Sequence, residues 1–258
     1  MSSRAKIYLS RGFDGCSLAV RQSGIAIVVD ALRASSTITT LFDHGVERIL
    51  VTAGVDDALE LSKTMTGAVL VGERGGEKLA GFHLGNSPIE VMASPRMDGQ
   101  TAIFTSSNGA QRLAACSGAD YTLVGTVSNA TVLAEWTRKY AESIDTPVVL
   151  VAAGKYPDES YISPEDEASC TYLCMRIGLP IAEESQYHFD HWERELVLRG
   201  LEDIYRHSRH AQRLMEIGYS EDVFFCARPD TAQNLPAVTG PVLLGNRQVG
   251  VELRNILA

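Results

Sequence analysis

The chain predicts an α/β fold of three layers, α/β/α, with helices covering both faces of a mostly parallel or mixed sheet. Six short runs rich in β-branched residues each end in a polar or glycine-containing turn, the pattern of strands buried on both faces. Stretches with helical spacing fill the gaps between these runs, and such alternation places helices over a parallel sheet.

In order, the strand-like runs are 25–30, 46–51, 68–72, 101–105, 121–124 and 148–152, and the helical stretches are 32–44, 55–65, 110–116, 129–141 and 165–177. Beyond Pro180, segment 183–218 is polar and rich in Arg, Glu and His, and is expected to pack as helices on the sheet. Residues 223–227 have the composition of a further strand, and 241–253 alternate Val and Leu with polar residues around Gly245-Asn246, which suits a terminal hairpin. No Pro-, Gly- or Ser-rich linker interrupts the 258 residues, so one domain over 1–258 is expected.

Composition narrows the partners. A net charge of -9, from 32 acidic against 23 basic residues, without a basic cluster, argues against nucleic acid. The five cysteines are scattered and lack zinc spacing, which fits a reducing cytoplasm. Neither a signal peptide nor an apolar stretch of membrane-spanning length is present, so no membrane partner is expected. A homo-oligomer stays open.

In an open parallel sheet, ligands bind beyond the carboxyl ends of the strands. After the first run comes Asp30-Ala31-Leu32-Arg33-Ala34-Ser35-Ser36-Thr37, with a carboxylate, a guanidinium and hydroxyls entering a helix. Oxygen ligands suit Mg²⁺, while Arg and helix N-terminal donors suit a phosphoryl group. Helix capping by Ser35 or Ser36 and a surface ion pair for Arg33 would explain the same residues without function.

The third run opens into Gly72-Glu73-Arg74-Gly75-Gly76-Glu77-Lys78, followed by Gly81-Phe82 and Gly85-Asn86-Ser87-Pro88, a charged, glycine-rich loop expected to fold over a ligand. Glu73 and Arg74 stand nearest the strand end. Thr105-Ser106-Ser107-Asn108-Gly109-Ala110 and Thr126-Val127-Ser128-Asn129-Ala130 repeat one turn chemistry; both suit helix caps, and both could line one pocket. After 148–152, Pro164-Glu165-Asp166-Glu167 starts a helix. Acids there commonly answer the helix dipole, but Glu165 or Asp166 turned inward beside Asp30 would make a hard oxygen site for Mg²⁺. His188, His191, His207 and His210 are set aside as metal ligands because no zincin-like pattern accompanies them. Cys170 and Cys174, four apart, suit core packing.

Together the Asp30 to Thr37 segment, Gly72-Glu73-Arg74, Gly81-Phe82, Gly85-Asn86-Ser87-Pro88, the Thr105 to Gly109 turn, Ala153-Gly154, Glu165-Asp166, the Gly218 to Val223 segment and Leu235-Pro236 resemble the 2-phosphosulfolactate phosphatase (ComB) family. The resemblance runs from about residue 25 to Pro236. It departs at Ser106-Ser107, where the family often has Thr-Thr, and after Asp166. It implies a three-layer α/β/α fold and a Mg²⁺-dependent phosphatase. The implied substrate is 2-phospho-3-sulfolactate or a related small, anionic 2-phospho acid.

On that basis Asp30, Glu165 and Asp166 are expected to hold Mg²⁺, with Asp30, Arg33, Glu73 and Arg74 in catalytic roles. Ser35, Ser36, Asn86, Ser87, Ser106, Ser107, Asn108 and Gly109 are expected at the substrate. Attack by Asp30 itself and attack by water both stay open. A haloacid-dehalogenase-like phosphatase also begins with Asp after a strand, but Leu32 stands where its second Asp belongs. A non-catalytic binding protein for a phosphorylated acid is the remaining alternative.

Overall fold

The structure, a computed structural model, describes residues 3–257. Among the described residues ten strands form one mixed sheet, in the spatial order β1 (Ile7–Arg11), β8 (Val148–Ala152), β2 (Ile25–Val29), β7 (Tyr121–Val124), β9 (Pro236–Leu244), β10 (Arg247–Asn255), β3 (Arg48–Thr52), β6 (Thr101–Thr105), β4 (Val69–Arg74) and β5 (Glu77–Lys78). The six runs seen in the sequence are β2 (Ile25–Val29), β3 (Arg48–Thr52), β4 (Val69–Arg74), β6 (Thr101–Thr105), β7 (Tyr121–Val124) and β8 (Val148–Ala152). β2 pairs in parallel with β7 and β8 from Ile25 onward, and β6 pairs in parallel with β3 and β4. Every residue of β2 and β8 is buried, so these strands carry apolar side chains towards both helical layers.

Alternate residues face opposite layers. Ile25, Ile27 and Val29 join a core with Leu133 of α6 (Ala130–Ile144) and Leu173 of α7 (Pro164–Ile177). Ala26 and Val28 face Ala19 of α1 (Gly12–Gln22), Ile38 of α2 (Ala34–Asp43) and Leu113 of α5 (Gly109–Ala115). Leu50, Leu70 and Ile103 pack with Leu61 of α3 (Val55–Thr64). Burying each such side chain stabilises the fold by about 1.5–3 kcal/mol before chain entropy is counted.

Three expectations need correction. Residues 223–227 do not form a strand, for α10 (Ser220–Cys226) is a helix that buries Asp222 and Val223. Tertiary contacts of Asp222 override the β-prone Val-Phe-Phe composition. The segment from Gly72 is not an irregular loop throughout: β4 continues through Arg74 and turns at Gly75-Gly76, both at positive φ, into β5 (Glu77–Lys78). The terminal hairpin, β9 (Pro236–Leu244) and β10 (Arg247–Asn255), exists but is longer than expected and lies centrally. β9 is antiparallel to β7 through Leu123 and Ala237, and β10 is antiparallel to β3.

Three elements lay outside the sequence reading: β1 (Ile7–Arg11), its following helix α1, and α4 (Pro88–Ala93). The polar stretch beyond Pro180 divides into α8 (Glu183–Arg206) and α9 (Arg209–Glu216). Among the described residues no helix is long and apolar enough to cross a membrane, and all five cysteines are free and buried.

Candidate active site

The loops after β2, β6 and β8, the β4–β5 turn and one side of α9 enclose a cavity of about 580 Å³. Asp30 leaves β2 at its floor, only 5% exposed. Its Oδ2 accepts the Gly109 N–H at 2.8 Å and its Oδ1 the Ala34 N–H at 3.3 Å. Its own N–H donates to Ser35 Oγ at 3.0 Å. Gly109 is required by space: a Cβ there would lie 2.9 Å from both Ala34 Cβ and Asp30 Oδ2.

Asp166, in the first turn of α7, ties two loops together by accepting the N–H groups of Ala31 at 2.8 Å and Gly154 at 3.0 Å. Beside it Glu165 is 2% exposed, and its Oε2 has no hydrogen-bond partner among the described residues. Burial pushes Asp30 up to about 6, against the N–H groups of Ala34 and Gly109 and with the charge of Glu73. Burial, with the charge of Asp30, pushes Glu165 up to about 7. Asp166 rises well above the usual carboxylate range through burial and then the charges of Glu165 and Asp30. Asp30 raises both Glu165 and Asp166, and Glu165 raises Asp166, so the three acids share one electrostatic site.

A fourth acid, Glu73, is a brace. It accepts the N–H groups of Ser107 and Gly76, both at 2.7 Å, and the Ser107 hydroxyl at 3.2 Å. Asn108 fixes the next loop by accepting the Tyr156 N–H at 2.9 Å. Asn86 is buried in the lining with an unpartnered Oδ1. Arg33 also lines the cavity, 2% exposed. Its Nη1 donates to Asp222 Oδ2 and its Nη2 to the Gly76 carbonyl, each at 2.6 Å, while its guanidinium lies 4.2 Å from the Tyr219 ring centre. These contacts use two of its five N–H donors.

The cavity thus gathers Asp30, Arg33, Glu73, Asn86, Ser107, Asn108, Glu165 and Asp166. The remaining expected residues fall behind its lining. Arg74 donates to the carbonyls of Glu73 and Ala53 and to Thr105 Oγ1. Ser35 Oγ serves Asp30 N–H, Ser36 Oγ meets Thr126 Oγ1 at 3.2 Å, and Ser106 Oγ caps α5 through the Ala110 N–H. Ser87 caps α4 and donates to Asp222, and Gly109 acts through Asp30. The second Ser-Asn turn is a capping box closed by Thr126 and Asn129, so its bland reading holds.

Lys155, Tyr161, Arg209 and His210 also line the cavity, and none stood among the expected site residues. Burial lowers His210, helped by the positive charges of Arg33 and Lys155. A triad of basic residues across one helical turn of α9 was visible as Arg209, His210 and Arg213, but nothing local tied it to strand ends more than fifty residues earlier.

Among the described residues no three His, Cys, Asp or Glu side chains form a ready-made metal cage. Mg²⁺ does not require one, because it keeps water and binds through one or two carboxylates plus substrate phosphate. The unpartnered, buried Oε2 of Glu165 beside Asp166 and Asp30 fits that demand.

Buried acids at the floor of a polar cavity, with a guanidinium in its wall and parallel strands ending beneath it, suit the handling of a phosphoryl group. The class defined is that of phosphoric monoester hydrolases. The sequence model of the 2-phosphosulpholactate phosphatase family matches residues 16–241, and the chain belongs to that family. A probable 2-phosphosulfolactate phosphatase of Carboxydothermus hydrogenoformans is 33% identical over 215 residues, covering 81% of this chain and 84% of its own. The 2-phosphosulfolactate phosphatase of Methanothermobacter thermautotrophicus is 33% identical over 214 residues, covering 83% and 86%.

Proposed function

We propose that this cavity hydrolyses 2-phospho-3-sulfolactate, or a closely related 2-phospho-hydroxycarboxylate, to the 2-hydroxy acid and phosphate, with Mg²⁺ as its cofactor. The observation that carries this reading is the Glu165 carboxylate, buried with one oxygen unpartnered beside two further buried acids. An unpaired buried carboxylate is costly, and a divalent ion shared with substrate phosphate relieves that cost.

In this mechanism Glu165, Asp166 and Asp30 would hold the ion, which when bound would supply neutralisation of the phosphoryl charge. Arg33, immobilised by Asp222, Gly76 and Tyr219, directs its remaining N–H donors to the phosphoryl oxygens. Asn86 and Ser107 fix the orientation of the ester. Glu73 positions rather than reacts, since its oxygens hold the Ser107 and Gly76 backbone in place. Prearranged charge and position supply most of the acceleration.

The test is phosphate release by the full chain from 2-phospho-3-sulfolactate and from other 2-phospho-hydroxycarboxylates, with Mg²⁺ and with chelator. Metal-dependent release is expected. Absence of release from every such substrate would leave binding without catalysis.

A further inference from the structure

Four Lys and Arg side chains line the cavity: Arg33, Lys155, Arg209 and Arg213. Arg33 is paired with Asp222 and Arg213 with Glu77 and Glu216. Among the described residues Lys155 and Arg209 have no carboxylate partner, although the chain carries a net charge of -9 and four buried acids stand in the same cavity. Ordinary surface cations are solvated and carry no such meaning; these two differ because they line the cavity that holds the buried acids.

Lys155 sits between two anchored neighbours. The Gly154 N–H donates to Asp166 and the Tyr156 N–H to Asn108, so the acid and the amide of the cavity set where Lys155 begins. Its ammonium lies 5.7 Å from the Tyr161 ring centre. Further along, Glu159 holds this segment to the fully buried Arg112 of α5 at 2.9 Å. Arg209 opens α9 directly after the Ser208 cap, whose hydroxyl accepts the Ala211 N–H. Tyr161 feels the charges of Glu165, Arg209 and Asp166, and His210 those of Arg33 and Lys155, so these two cations stand close to the reacting floor.

We infer that Lys155 and Arg209 are specificity-determining residues that receive the acidic groups of the substrate other than its phosphate. This rests on the phosphatase reading of the cavity and assigns the second half of the ligand. The division follows from charge. Arg33 and the ion that the acids would hold take the phosphate end, while the cations left without carboxylate partners suit a carboxylate and a sulfonate carried on adjacent carbons. Each charge-assisted contact adds to affinity, so a ligand with two anionic groups gains over one with a single group.

The test uses the full chain and two probes without phosphate. Sulfolactate, with carboxylate and sulfonate, is compared with lactate, which has the carboxylate alone, by calorimetric titration of the unaltered protein, Lys155→Ala, Arg209→Ala and the double variant. The unaltered protein is expected to prefer sulfolactate; loss of the cation that meets the sulfonate is expected to reduce the ratio of the two Kd values about tenfold, and loss of the one that meets the shared carboxylate to weaken both probes about tenfold. Both residues are exposed, and a thermal scan checks that each variant is folded. A ratio that survives in the double variant overturns the assignment, as does an unaltered protein that shows no preference. Phosphate release is measured separately: its failure with the preference intact strikes the phosphatase reading alone.

Discussion

Asp30 and Glu165 combine deep burial with proximity to like charge, and their protonation follows. An acid raised in the folded state binds a proton there that the unfolded chain has already lost. Its contribution therefore falls as pH rises, for Asp30 between about 4 and about 6 and for Glu165 between about 4.5 and about 7. Glu165→Gln should accordingly stabilise the metal-free protein by an amount that grows with pH, approaching on the order of 3 kcal/mol at pH 8. Urea midpoints of both proteins at pH 5 and pH 8 measure this, and an increment that stays flat with pH would show that Glu165 titrates normally. The same acids must lose their protons to hold a cation, so Mg²⁺ affinity should climb through pH 6 to 7 in calorimetric titrations. Asp30→Asn should lower turnover at least about a hundredfold while the thermal transition moves little. Relief of a desolvated charge there offsets the hydrogen bond that an amide nitrogen cannot accept from Gly109 or Ala34. Retained turnover would remove Asp30 from the mechanism.

The loops owe their positions to the elements beneath them. α5 begins at Gly109, where the N–H points at Asp30 and the missing Cβ lets the turn approach α2. Gly109→Ala should cost about 1–3 kcal/mol through overpacking and reduce activity by more than the lost stability explains, read from turnover well below the unfolding transition. Unchanged turnover would mean that the turn does not set Asp30. This scale also separates what sequence could show from what it could not. Strands β2 and β8 were plain because each is a continuous apolar run, and Asp30 was plain because it adjoins one, whereas Glu165 and Asp166 open the helix that follows β8. β1 reads Ile-Tyr-Leu-Ser-Arg, with polar residues at its last two positions, and α1 contains Gly12 and Gly15, so neither has a strong local pattern. α10 looked like a strand since Val223, Phe224 and Phe225 favour one, yet Asp222 gains more by reaching Ser87, Arg33 and the Ile89 N–H from a helix. Lys155 carries no local signal and that of Arg209 stays within α9: only in three dimensions do both line the cavity, without a carboxylate partner among the described residues.

At the level of the whole molecule, the hairpin β9–β10 joins two sets of parallel strands, β1-β8-β2-β7 on one side and β3-β6-β4 on the other. The floor acids Asp30, Glu165 and Asp166 come from the first set and its helix, whereas Glu73 lies in a strand of the second and Ser107 follows another. The cavity therefore depends on a joint formed by the last residues of the chain, a dependence that alternating Val and Leu in a terminal segment could not reveal. Gly250 sits where this joint is tightest, since a Cβ there would meet the Val51 carbonyl oxygen at 1.8 Å, and β3 cannot yield without disturbing β6 on its far side. Gly245, at the hairpin tip, has nothing within 4 Å of the same position, although its φ is positive. Gly250→Ala should cost about 3 kcal/mol or more through backbone displacement, lowering Tm by about 6 to 12 °C in a chain of this size. Gly245→Ala should cost about 1 kcal/mol from conformation alone. Because both sets of strands lean on the same hairpin, Gly250→Ala should still unfold in one step, with near-ultraviolet dichroism and phosphate release lost together. Two separate transitions, or equal small shifts for the two glycines, would mean that the strand sets hold together by their helices and that the hairpin merely fills the space between them.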